Sequence, residues 1–176
     1  MLDKKSHEEL AVAKDIEFAF SILNYNQGLI QFADSKANAL LLINSIFIAS
    51  IAPFVEVLKK GGNSVAMAFV FLFFMASILS ILLSFGVITT RKVPEIENSN
   101  KGLIFYGHII ETRSPEGYIH EYNTCDSRRF RENILSNVFV VSRIASRKYH
   151  IYNYGQALTL ASCALWIISM IFLLVH

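Results

Sequence analysis

The chain has 176 residues, 53% of them hydrophobic and 17% charged, with a net charge of +2 and a mean hydropathy of +0.43. The apolar share exceeds the roughly 45–50% of ordinary soluble domains, and the length allows one domain or a small assembly. So small a net charge gives no case for binding a nucleic-acid polymer.

Residues 1–36 predict a cytoplasmic N-terminal helix, with the polar residues 1–9 frayed. From Leu10 an apolar line runs through Val12, Ile16, Phe20, Leu23, Gln27 and Ile30 at steps of three and four, one face of an α-helix. A second line, Phe18, Ile22, Tyr25, Leu29 and Phe32, marks another face. A helix apolar on two faces is expected to be buried on both. Packing within the subunit and packing on a neighbouring subunit are equally open. The charged stretch that precedes the first apolar run argues against a signal peptide.

The polar stretch Asn24–Lys36 passes without a break into an apolar one. No proline interrupts residues 2–52, and Ala37–Val55 holds nineteen residues with no charge. At ~1.5 Å per residue these rise ~28 Å, close to the ~30 Å of a bilayer core. One helix is therefore expected to run from the cytoplasm across a membrane, with the first span over 37–58 and Pro53 near its end. Gly61–Ser64 is a turn short enough to force an antiparallel helical hairpin. The second span is 65–90, twenty-six residues without a charge, stopped by Arg91 and Lys92. Its Ala76, Ser80 and Ser84 form a small-residue line suited to close helix packing, within the subunit or between subunits.

Residues 91–150 form the main soluble part. Pro94–Lys101 reads as a loop. Gly102–Ile110, GLIFYGHII, is aromatic and β-branched, which predicts a short strand or extended segment. Ser114-Pro115-Glu116 reads as an N-cap, a first-turn proline and a first-turn acid, opening a short helix to about Asn123. Asp126 is placed to cap a longer helix with the line Phe130, Ile134, Val138, Val141 and Ala145. That helix is expected to continue into a third span over 151–175, where no residue is charged.

Basic residues set the orientation. Four precede the first span, two lie in the hairpin turn, ten lie in 91–150 and none follows the third span. The expected fold is an all-α membrane protein with three transmembrane helices, the first and third continuing as long cytoplasmic helices, and a small cytoplasmic insert between spans two and three. The N-terminus and residues 91–150 face the cytoplasm, and the C-terminus faces the periplasm.

No glycine-rich phosphate loop, HExxH, paired-cysteine motif or nucleophile elbow is present, so no enzyme, cofactor or metal is expected. Cys125 and Cys163 fall in different expected compartments and should not pair. Two juxtamembrane clusters carry more information. One is Ser146-Arg147-Lys148-Tyr149, with Arg143 one turn earlier on the face of Arg147. The other is Asp34-Ser35-Lys36. Contact with anionic lipid is one reading of the basic groups. A small anionic ligand held between the two helices is the other, since a guanidinium matches a phosphate. Phe105, Tyr106 and Tyr149 offer surfaces on which a base can stack. Asp34 is a candidate acceptor for a ribose or base, or the partner of Lys36 or Arg147 in an ion pair.

The stretch NQGLIQFADSKANALLLIN resembles the first-span signature of the small transmembrane effectors of bacterial Pycsar anti-phage systems. IFYGH at Ile104–His108 and IASRKYHIYNYGQA before the third span resemble that family's later motifs. The similarity covers the chain from Asn24 onward. It implies activation by a cyclic mononucleotide second messenger, cCMP or cUMP, followed by inner-membrane damage and abortive infection. Such activation agrees with the ligand site read from the residues themselves, whose candidates are Asp34, Lys36, Phe105, Tyr106, His108, Arg143, Arg147, Lys148 and Tyr149. A homo-oligomer is expected besides. The competing expectation is a structural or adaptor membrane protein whose cytoplasmic part docks a protein and takes no small ligand.

Overall fold

The computed structural model describes residues 2–54, 56, 64–90, 103–104, 106–112 and 114–175. The elements are α1 (Leu2–Ser50), a 3₁₀ turn (Ala52–Phe54), α2 (Ser64–Thr89), α3 (Tyr106–Glu111), α4 (Pro115–Thr124) and α5 (Ser127–Val175). No strand occurs among the described residues. Three stretches are long and apolar enough to cross a membrane: Leu10–Phe54, Ser64–Thr89 and Ser127–Phe172. The all-α, three-span expectation therefore holds.

Helix α1 is a single helix of 49 residues. It begins at Leu2, so the polar opening residues expected to fray are helical. It ends at Ser50 because Pro53 disfavours helical geometry in the residue before it. The chain tightens there, with Ile51 N donating to Ile48 O at 3.3 Å and Phe54 N to Ile51 O at 2.9 Å. The turn residues 61–63 and the loop 94–101 lie outside the described residues. Helix α2 ends on two threonines that bond back to its last carbonyls. Thr90 donates to Gly86 O from both its N–H, at 3.1 Å, and its Oγ1, at 2.6 Å.

The short strand or extended segment expected over Gly102–Ile110 is not seen at its described residues 106–110, which are helical. Residues 106–111 are helix α3, while Gly102 and Phe105 lie outside the described residues. A lone strand with no pairing partner leaves its backbone groups unbonded, whereas a helix satisfies them internally. Here that outweighs the local β-branched preference. The cap signals hold. Ser114 is extended (φ −147°, ψ 146°), its Oγ accepts from Gly117 N at 3.0 Å, and Pro115 opens α4. A Cβ at Gly117 would stand 3.2 Å from Ser114 Oγ, close enough that the capping side chain would have to shift slightly to admit it. Asp126 Oδ1 accepts from Arg129 N at 2.7 Å and starts α5, which then runs 49 residues without a stop.

The chain divides into two compact units, and α1 and α5 contribute to both. The first comprises residues 1–30 and 92–145. Its core holds Ala19, Leu23 and Ile134, with Phe130 packed between Phe20 and Tyr122 at ring distances of 6.1 and 6.0 Å. Asn26 donates to Ser142 Oγ at 2.9 Å, and Tyr118 OH to Leu103 O at 3.0 Å. Within the subunit one of the two apolar faces of α1 is covered. Phe18 and Tyr25, on the second line, are each 68% exposed.

The second unit comprises residues 31–91 and 146–176. Three helical segments meet along a seam with heptad spacing, steps of four and three. On α2 the buried positions are Ala66, Val70, Phe73, Ser77, Ser80, Ser84 and Val87. On α5 they are Lys148, Tyr152, Gly155, Thr159, Ser162 and Ser169, with half-buried Trp166 completing the rhythm. On α1 they are Ala33, Ala37, Leu40, Asn44 and Ile51. Large apolar side chains such as Leu42, Phe71, Leu82 and Leu160 face outward. The unit is apolar outside, and inside a polar layer around Asn44 lies between an apolar cluster of Ala33, Ala37, Leu40, Val87 and Tyr152 and another of Ile51, Ala66, Val70 and Phe73, an arrangement that suits lipid as the surrounding solvent.

Candidate functional site

One end of the second unit is built on Lys148. Its side chain is 1% exposed, and its Nζ donates to Asp34 Oδ1 at 2.5 Å and to Val87 O at 2.6 Å. The Val87 carbonyl lies in the last turn of α2, where carbonyls have no partner in their own helix and the helix dipole is negative. One ammonium therefore fastens α5 to α1 and to α2. The sequence leaves Asp34 open as an acceptor for a ribose or base or as the partner of Lys36 or Arg147 in an ion pair. Its partner is Lys148.

Around this pair stands an aromatic and basic shell. The Lys36 ammonium lies 4.5 Å from the Phe32 ring centroid and 5.4 Å from that of Tyr152, within cation–π range. Tyr149 meets Tyr152 edge-on at 6.5 Å. Arg147 is exposed, turned about 100° around the helix from its buried neighbour Lys148. Asp34, Lys36, Arg147, Lys148 and Tyr149 thus share the second unit. Arg143 belongs to the first, exposed, with its guanidinium 5.6 Å from the Phe139 ring. Phe105 and the side chains of Tyr106 and His108 lie outside the described residues.

A second polar constellation was missed as a set. Asn44 is fully buried, and its Nδ2 lies within hydrogen-bond distance of Leu40 O (2.9 Å), Thr159 Oγ1 (3.0 Å) and Ser80 Oγ (3.2 Å). Two amide hydrogens serve three acceptors, so the bonds are shared. The Asn44 carbonyl accepts from Ser162 Oγ at 3.2 Å, and Ser80 Oγ lies 2.6 Å from Thr159 Oγ1. All three spans join in this knot. Nearer the other end, Trp166 Nε1 donates to Ser50 Oγ at 2.7 Å while its ring stacks on Phe47 at 5.2 Å. The Ala76–Ser80–Ser84 line packs within the subunit through its two serines, with Ser77 rather than Ala76 on the inward face.

Residues 18–175 match the Pycsar effector protein domain, PycTM. The chain belongs to the Pycsar effector family. The match begins six residues before the Asn24 at which the sequence resemblance starts, and it takes in all three apolar helices. This Pycsar effector is therefore a transmembrane component of an antiviral defence system. No curated protein and no solved structure matches the chain. Neither cysteine is bonded to another, and among the described residues no cluster of histidine, cysteine and carboxylate side chains is suited to a metal.

Proposed function

We propose that this Pycsar effector senses a cyclic mononucleotide, cCMP or cUMP, on the cytoplasmic side of the bacterial inner membrane and then breaks that membrane's permeability barrier, arresting the infected cell. It acts as a sensor and effector, not as an enzyme. Membership of the Pycsar effector family over residues 18–175 carries this reading. The shell around Lys148 supports it chemically. In this reading Arg147 holds the phosphate, Lys36 adds a second positive charge, and Tyr149 offers a face for the base. Lys148 and Asp34 hold the helices that carry those groups. The exposed Phe18 and Tyr25 support self-association, since a second copy would cover them.

Binding to the purified full chain in detergent tests the reading. A ligand present at about 100 times its dissociation constant stabilises the folded protein by roughly 2.7 kcal/mol, so cCMP or cUMP should raise the Tm while cAMP and cGMP do not. Arg147→Ala should weaken binding about tenfold or more, the loss of a charge-assisted hydrogen bond worth roughly 1.5–3 kcal/mol. No shift with any cyclic nucleotide would leave the protein-docking adaptor as the better account.

A further inference from the structure

The interior of the second unit poses a question that helix packing alone does not answer. Its outward faces are apolar, yet at the centre of the seam stand Asn44, Ser77, Ser80, Ser84, Thr159 and Ser162, each at most 5% exposed. Four of them are explained as fasteners by the hydrogen bonds of the Asn44 knot. Ser77 and Ser84 are not. They flank Ser80 on the same face of α2, both are buried, and neither hydroxyl makes a hydrogen bond. A serine kept only to join helices would have a partner, and one kept only for its small size would serve as well as alanine. Unpartnered buried hydroxyls aimed into a polar seam are sites for water.

The seam is also long enough to matter. On α5 the seam runs from Lys148 to Ser169, a rise of roughly 31 Å at ~1.5 Å per residue, close to the thickness of a bilayer core, with its polar middle closed off on one side by the cluster of Leu40, Val87 and Tyr152 and on the other by that of Ile51, Val70 and Phe73. Between these ends no side chain on the seam is ionised. Hydroxyl and carboxamide groups both donate and accept, so they can replace part of the hydration shell of a small ion of either sign. In the packed state the seam is closed. Lys148 clamps all three helices at one end, and Asn44 ties them at the middle.

We propose that the seam is a dormant conduit, and that the activated protein passes water and small monovalent ions along it rather than through disordered lipid at its outer faces. This rests on the membrane-effector reading above and deepens it. Opening exchanges the interhelical hydrogen bonds of Asn44, Ser80, Thr159 and Ser162 for bonds to water, with Ser77 and Ser84 already lacking partners to lose.

Cysteine accessibility in the full chain tests the conduit. In a background carrying Cys125→Ser and Cys163→Ala, single variants Ser77→Cys and Ser84→Cys are near-isosteric, and Leu82→Cys reports the outward face, where Leu82 is 59% exposed. Each is reconstituted in liposomes and treated with a charged, membrane-impermeant thiosulfonate, with and without cCMP or cUMP, while K⁺ efflux and release of a bulky dye are followed. Expected is at least tenfold faster modification at positions 77 and 84 during K⁺ efflux, block of efflux by that modification, no reaction at 82 and retention of the dye. Dye release on nucleotide addition with positions 77 and 84 still protected would overturn the conduit and leave nucleotide sensing intact. Efflux and modification that do not depend on nucleotide would keep the conduit and remove nucleotide sensing. No efflux and no modification under either condition would overturn the conduit. The double variant Ser77→Ala with Ser84→Ala removes no hydrogen bond from the closed state, so the bundle should keep its Tm. The conduit requires a several-fold fall in K⁺ efflux from it, and unchanged efflux counts against the conduit.

Discussion

Asp34 and Lys148 form an ion pair whose two halves are unequally buried: the Lys148 side chain is 1% exposed and that of Asp34 is 34% exposed. Removing either residue therefore has a different cost. Asp34→Ala strands a buried ammonium with only the Val87 carbonyl, and breaking a buried pair in this way costs about 3–5 kcal/mol. Lys148→Met fills the buried site with an apolar chain and leaves an aspartate that reaches water. The expected outcome is a distinctly larger fall in Tm in detergent for Asp34→Ala than for Lys148→Met. Equal losses would mean that Lys148 is hydrated in solution.

The Asn44 knot predicts coupling. Asn44→Ala removes bonds to Thr159, Ser80 and Ser162 together, while Thr159→Val removes the Asn44–Thr159 bond that the two changes share and also the contact of Thr159 with Ser80. Hydrogen bonds between transmembrane helices contribute about 0.6–2 kcal/mol. In a double-mutant cycle the two losses should therefore fall short of additivity by an amount of that order. Strict additivity would show that Asn44 and Thr159 act independently.

The cap at Ser114 predicts a local effect. Ser114→Ala removes the acceptor for Gly117 N and should cost about 1 kcal/mol. Amide exchange should speed up across α4, beginning at Gly117, while the seam of the second unit keeps its protection. Equal acceleration in both units would show that they unfold together.

Topology follows from the distribution of basic residues. A reporter active only in the periplasm should work when fused after His176 and stay silent when fused after Lys101. The opposite pattern would invert the orientation, and silence at both sites would change the number of crossings.

Much of the architecture was legible because its signals are local. Apolar length gave the spans. Ser114-Pro115 and Asp126 announced two helix starts, and the proline-free stretch to Ala52 announced α1. The strand expected at 102–110 was misread because β-branched residues report a local preference, whereas pairing depends on a partner that sequence does not display. Lys148 was misplaced for a related reason. Beside Arg147 in sequence it belongs to a basic cluster, but one residue along a helix turns the side chain about 100°, from an exposed face to the seam. The seam itself was written in the spacing 148, 152, 155, 159, 162, 166 and 169. A search for apolar periodicity passes over it, since in a lipid-facing bundle the inward line can be polar and apolar residues lie on every outward side.

The ion pair at Lys148 also sets an order for biosynthesis. Asp34 and Lys148 are separated by 114 positions in the chain. At roughly 5–20 residues per second of translation, that separation amounts to roughly 6–23 s between the appearance of the carboxylate and that of its partner. For that interval the first span stands without the ammonium that later clamps it. The hairpin of α1 and α2 can be made first, but the bundle closes only when α5 emerges, so the seam stays unsealed until that third long helix has been made.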